Sequence, residues 1–239
     1  MIVVGSFMGD SQAWWWLAGW GIELASSTIV NRIEVHINAE HFAERHALIM
    51  IIAFGEAIVV AGSIIAGVEP SWEVAGILTV GILGAIALWW AYFDRMEDLW
   101  EWALVRANVD EVGRLARDVY SILHYPMIAG VVLYAVAVEE IFLRPTDPIE
   151  GMVRVTLGLS LLFFLLPIVA ATWRTVKVFQ FERFIAAIVI PAVVFSSGDM
   201  TGRSVLLITT VLLLVTMTAE YWRFRTRIRE GKATKQAAN

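Results

Sequence analysis

The stretch HFAERHALIMIIAFGEAIVVAG, residues 41–62, places two histidines, two glutamates and an arginine in and around an apolar run. From Ala47 to Ala66 the only ionisable side chain is Glu56. Arg45 and Glu56 are eleven residues apart. On a helix that spacing brings them within roughly 20° of one face and sets the carboxylate roughly 16 Å deeper. His41 and Arg45, at i and i+4, stack on the same face. A charge at the centre of a membrane helix costs roughly 2.5–3.5 kcal/mol on insertion scales. Glu56 escapes that cost by staying protonated or by meeting a basic partner, and either route leaves a group whose protonation follows its surroundings. Proton relays and coupling sites in transporters are built from such groups. The structural alternative is a neutral acid hydrogen-bonded across a helix interface, which stabilises packing by about 0.6–2 kcal/mol.

Other segments bring polar groups to the same level. LWWAYFD ends an apolar run at Asp94, and VYSILHYPM opens another with Tyr120 and His124. The expected ion or solute pathway is therefore His41, Glu44, Arg45, Glu56, Asp94 and His124, with His46 beside its mouth. Charged residues at span ends also occur for purely structural reasons, and the mouth cluster carries that second reading. A metal site is the weaker option. HFAERH is neither H-E-x-x-H nor H-x-x-E-H, because Arg45 stands where the latter needs its second histidine. His41 and His46 fall about 140° apart on a helix, so an ion would need His41 and Glu44 joined by His124 or Asp94. There is no P-loop, G-x-S-x-G or G-x-G-x-x-G motif. The absence of cysteine excludes disulfides, thiolate ligands and thiol nucleophiles. No metal, no cofactor and no enzymatic activity are expected.

The elements that must hold these residues are membrane helices. The chain has 239 residues, 59% hydrophobic and 17% charged, with mean hydropathy +0.70, whereas soluble domains average about 45–50% apolar and about 25% charged. A crossing helix needs about 20 mostly apolar residues. Runs of that kind are centred in residues 46–66, 73–93, 119–138, 152–172, 183–197 and 203–221. The fifth, FIAAIVIPAVVFSSG, is short and contains Pro191. Residues 2–30 are long enough for a seventh, although Asp10, Gln12 and Glu23 interrupt them and Trp14, Trp15, Trp16 and Trp20 suit an interfacial helix as well. MIVVGSFMGD has no basic n-region, so no cleaved signal peptide is expected.

With the tail RFRTRIREGKATKQ placed inside, alternate loops put fifteen of the eighteen Lys and Arg residues inside and only Arg144, Arg154 and Arg203 outside. That bias follows the positive-inside rule. The expected architecture is all-α: a polytopic transmembrane helical bundle of about seven spans over residues 1–222, N-terminus outside, with a basic cytoplasmic tail over 223–239. Between spans three and four, Leu99, Trp102, Val105, Val109, Val112, Leu115 and Val119 recur at three- and four-residue steps. That spacing predicts a cytoplasmic amphipathic helix over 95–118, packed beneath the bundle or docking a partner. The expected partners are the lipid bilayer and a small solute or ion. A homo-oligomer is compatible with the pattern, and the net charge of −5 gives no reason to expect nucleic acid. Two functions fit: transport or conduction of a small solute or ion, and a membrane sensor or scaffold reaching partners through residues 95–118 and the tail.

HFAERHALIMIIAFGEAIVVAG, LWWAYFD and YSILHYPMIAG, in this order and spacing, resemble the bacterial low-temperature-requirement A (LtrA) family over residues 41–140. The family pattern HFAERHGL…GESI is met with alanine at Ala47 and Ala57. Further N-terminal spans with a motif like ELFFDLVFV, usual in the family, have no counterpart here, so the chain is similar to the family's C-terminal part. The resemblance implies a multi-pass protein of the bacterial cytoplasmic (inner) membrane, tied by name to growth in the cold; the sensor or scaffold reading is then one of a cold or envelope stress response. All six pathway residues fall within the matched motifs.

Overall fold

The computed structural model describes residues 11–29, 38–65, 69 and 71–237, and among these the chain is helical without a strand. The helices are α1 (Gln12–Ile29), α2 (Ala39–Ile65), α3 (Trp72–Phe93), α4 (Met96–Val105) and α5 (Val109–Leu115). A π-helical segment (Ala116–Ile122) then leads into α6 (His124–Leu143), followed by α7 (Gly151–Val176), α8 (Phe181–Phe195) and α9 (Gly202–Ala237). Asp10 and Arg32 of the sequence reading lie outside the described residues. Among the described residues, four stretches are long and apolar enough to cross a bilayer: Trp72–Val105, Glu111–Leu143, Gly151–Val176 and Gly202–Arg223. The fifteen residues of α8 reach roughly 22 Å, less than the roughly 30 Å hydrocarbon layer.

α7 is the central post. Leu157, Leu161, Phe164, Leu165 and Ile168 are fully buried, and the helix packs against both α6 and α8. α6 comes close because Gly130 has no side chain: a Cβ there would sit 2.7 Å from the Ser160 carbonyl oxygen. α7 ends at Lys177, whose φ of 59° lets the chain leave in a left-handed turn toward α8. At the opposite end of the bundle, the loop before α7 is laced to the loop before α9. Ile149 N–H donates to Met200 O, Gly202 N–H to Asp147 O, and Arg154 to the carbonyls of Ile149 and Gly198.

The amphipathic segment departs from its sequence reading. It is not one helix over 95–118, because Arg106–Asn108 break it into α4 and α5. The face that α4 buries is Met96, Trp100 and Leu104, while Trp102 and Val105 are about half exposed and Val109 more so. Trp100 sets the phase: fully buried, it donates its indole N–H to Thr172 Oγ1 of α7 at 3.2 Å. Trp102 instead lies under the guanidinium of Arg106, 4.5 Å from ring centre to charge. Of the seven-residue stripe, only Leu115 and Val119 are buried.

The π-helical segment has a local cause. Pro126 lacks an N–H, and its ring crowds the carbonyl four residues earlier. The chain widens just before it, with Leu123 N–H donating five residues back to Asp118 O at 3.2 Å. π-turns of this sort recur at functional positions.

Candidate functional site

At the start of α2, Asn38 Oδ1 accepts from the His41 N–H at 3.2 Å. Arg45 Nε donates to His41 Nε2 at 3.1 Å, so the ring proton sits on Nδ1, which faces Glu44 Oε2 at 3.4 Å. His41, Glu44 and Arg45 thus form one hydrogen-bonded, exposed cluster. Glu56 shares that outer face, as the spacing requires, and is exposed between Ile52 and Val59 with no hydrogen-bond or ion-pair partner among the described residues. The inner face of α2 consists of Ala43, Ala47, Met50, Ala53, Phe54 and Ala57. These mostly small side chains let α2 lie against α6 and turn the acid outward.

The other two expected pathway residues go elsewhere. Asp94 is half-buried and accepts from Arg95 at 2.5 Å. His124 is buried in an aromatic box. Its Nδ1 donates to Val119 O at 2.8 Å, so Nε2 carries the lone pair and accepts from the Tyr92 hydroxyl, also at 2.8 Å. Tyr120 stacks on His124 with ring centres 5.2 Å apart, and His46 and Trp100 meet it edge-on at 5.4 and 5.9 Å. His46 donates from Nδ1 to Phe42 O at 2.8 Å. The Tyr120 hydroxyl is buried without a partner among the described residues. Contact between α2, α3 and α6 therefore runs through His46, Tyr92 and His124 rather than through Glu56. Tyr92→Phe would strand His124 Nε2. An unsatisfied buried acceptor costs about 1–3 kcal/mol, so a lower unfolding midpoint by intrinsic tryptophan fluorescence is expected.

A third arrangement was not anticipated from the sequence. Arg183, in the first turn of α8, is 1% exposed although charged. Its Nε donates to Glu220 Oε2 of α9 at 2.7 Å and its Nη1 to the Ala91 carbonyl of α3 at 2.6 Å. The last carbonyls of a helix have no intrahelical donor, and a cation there is favoured by the helix dipole. Arg183 caps α3 while pairing with α9. Beside the pair lies a cavity of about 600 Å³ between α4, the end of α7, the start of α8 and the end of α9. Gln180 lines it, with Nε2 3.0 Å from Met96 Sδ and 3.4 Å from Glu220 Oε1, and with Oε1 buried and unpartnered. Counted only as an inside charge, Arg183 hid its role. The available signal was an arginine inside the fifth apolar run and a lone acid, Glu220, at the close of the sixth. Among the described residues, no group of three or more His, Asp or Glu converges as a metal site would.

Apolar helices of crossing length define an integral membrane protein. The chain belongs to a known family of that kind: the model for the bacterial low temperature requirement A protein (LtrA) matches residues 1–219. No curated protein and no solved structure matches it.

Proposed function

We propose that this LtrA-family protein is a multi-pass protein of the bacterial inner membrane that moves a small solute or ion across it. In this reading α1, α2 and α8, the last together with the loop residues beside it, complete seven crossings and the basic tail lies in the cytoplasm. The observation that carries it is the Arg183–Glu220 pair on the edge of the 600 Å³ cavity. Ionisable residues within membrane helices face bundle interiors or water-filled cavities and mark solute and ion pathways. The coupling role expected of Glu56 passes to Glu220, which unlike Glu56 has charged and polar partners from a neighbouring segment.

Proteoliposomes under an imposed potential, with pH- and cation-sensitive dyes inside, test this. Flux is expected with the wild-type protein, reduced at least roughly tenfold in Glu220→Gln and unchanged in Glu56→Gln; tenfold corresponds to about 1.4 kcal/mol. Wild-type vesicles no leakier than empty ones would overturn the transport reading. A loss confined to Glu56→Gln would return the pathway to α2.

A further inference from the structure

The cavity beside Arg183 has a charge and hydrogen-bond balance that specifies its occupant. Its two lining arginines are already neutralised: Arg95 by Asp94 and Arg223 by Glu182. Arg183 neutralises Glu220 from behind the wall. Asp98 lines the cavity and has no ion-pair or hydrogen-bond partner among the described residues, which leaves one negative charge uncompensated. The unmet hydrogen-bonding capacity is also of one kind. Gln180 is 8% exposed and, among the described residues, its Oε1 accepts from nothing, and Glu220 Oε1 has only a long contact to Gln180 Nε2. Those groups seek a donor with positive charge. The rest of the wall is apolar, with Leu99, Val176, Phe179 and Phe181 facing the same space. Phenyl faces also attract cations. The cavity lies at the end of the bundle where α3 and α7 finish and the basic tail begins. Apolar crossing stretches meet charged residues there, at the level of lipid headgroups.

We propose that this cavity binds the ammonium group of an amphipathic amine, with Asp98 and the Gln180 amide oxygen as acceptors and the tail on the apolar wall. The proposal deepens the transport reading by naming a class of ligand, and rests on it only for the ligand's passage across the membrane. The same ammonium chemistry comes from two sources, an ethanolamine phospholipid headgroup or a free lipophilic amine.

The experiment uses the full chain in phosphatidylcholine nanodiscs, titrated with octylammonium and with octyltrimethylammonium, read by tryptophan fluorescence. Octylammonium is expected to saturate at least roughly tenfold more tightly, because the quaternary ion has the same charge but no N–H to donate. Gln180→Leu is expected to weaken octylammonium severalfold and leave octyltrimethylammonium unchanged, whereas Asp98→Asn weakens octylammonium severalfold and octyltrimethylammonium less, because both ions lose the charge but only the first loses a hydrogen bond. Asp98 is exposed, so its variant keeps the fold and the test decisive if Gln180→Leu unfolds. Equal affinity for the two ions, or an Asp98→Asn isotherm identical to wild type, would overturn the proposal. Adding phosphatidylethanolamine to the nanodiscs separates the sources, since competition assigns the site to the lipid headgroup and its absence to a free amine. Selective binding without flux in proteoliposomes upholds the site and removes transport; flux without selective binding does the reverse.

Discussion

Arg183→Met is expected to lower stability by about 3–5 kcal/mol, the usual cost of removing one member of a buried ion pair. On the scale of a 150–250-residue domain this is a fall of roughly 10 °C in the unfolding midpoint. The substitution keeps the length and apolar stem of the side chain and removes every donor. Glu220 is then a carboxylate with only the 3.4 Å contact to Gln180, and the Ala91 carbonyl at the end of α3 loses its cap. Lysine is a poor replacement, because one ammonium on a flexible stem does not reproduce the fixed fork that reaches α9 and α3 together. The double variant Arg183→Met/Glu220→Leu separates pair from cap. Replacing both partners by apolar groups removes the stranded charge, so most of the loss is expected to return, apart from the uncapped carbonyl. The eleven tryptophans make intrinsic fluorescence a direct readout. A double variant as unstable as Arg183→Met would mean that the cap, and not the pair, is what the arginine supplies.

The helices were legible in the sequence because crossing a bilayer imposes a length and an apolar composition that few other structures share. Runs centred in 73–93, 119–138, 152–172 and 203–221 each correspond to a helix of the bundle. The phase of α4 was not legible. Two apolar stripes compete there, Leu99–Trp102–Val105 and Met96–Trp100–Leu104, and a hydrogen bond from Trp100 to a residue 72 positions away decides between them. Hydropathy contains nothing about that partner. The local geometry at the start of α2 was legible, since the relation of His41, Glu44 and Arg45 depends only on helical spacing. What spacing leaves open is which side of the helix meets its neighbours. The cost of a deep carboxylate argued for an inward Glu56, but four alanines on another face make the closer helix contact and settle the rotation. Arg183 and Glu220 were obscured for a different reason: each sits near a span end, where a single charge is ordinary, and only their meeting in space makes them notable.

The second large effect is expected from one added methyl group. Gly130→Ala places a Cβ 2.7 Å from Ser160 O and 2.8 Å from Phe164 N, both main-chain atoms of α7. No rotamer relieves a contact with backbone, so α6 and α7 must separate along their most extensive interface. Overpacking of this sort costs about 1–3 kcal/mol, and at a seam that carries His124 and Tyr134 on one side it also loosens what those residues hold. Tyr134 donates to Gly81 O of α3 at 3.0 Å, so a displaced α6 pulls on α3 as well. Gly55→Ala in α2 is the matched control. Nothing lies within 4 Å of the position a Cβ would take there, and alanine is favoured over glycine in a helix by about 1 kcal/mol. The same chemical change should therefore destabilise at residue 130 and leave stability unchanged or raised at residue 55, both followed by tryptophan fluorescence on heating. Equal effects at the two positions would mean that helix propensity, rather than the approach of α6 to α7, governs the response, and the central role given to α7 would fall with it.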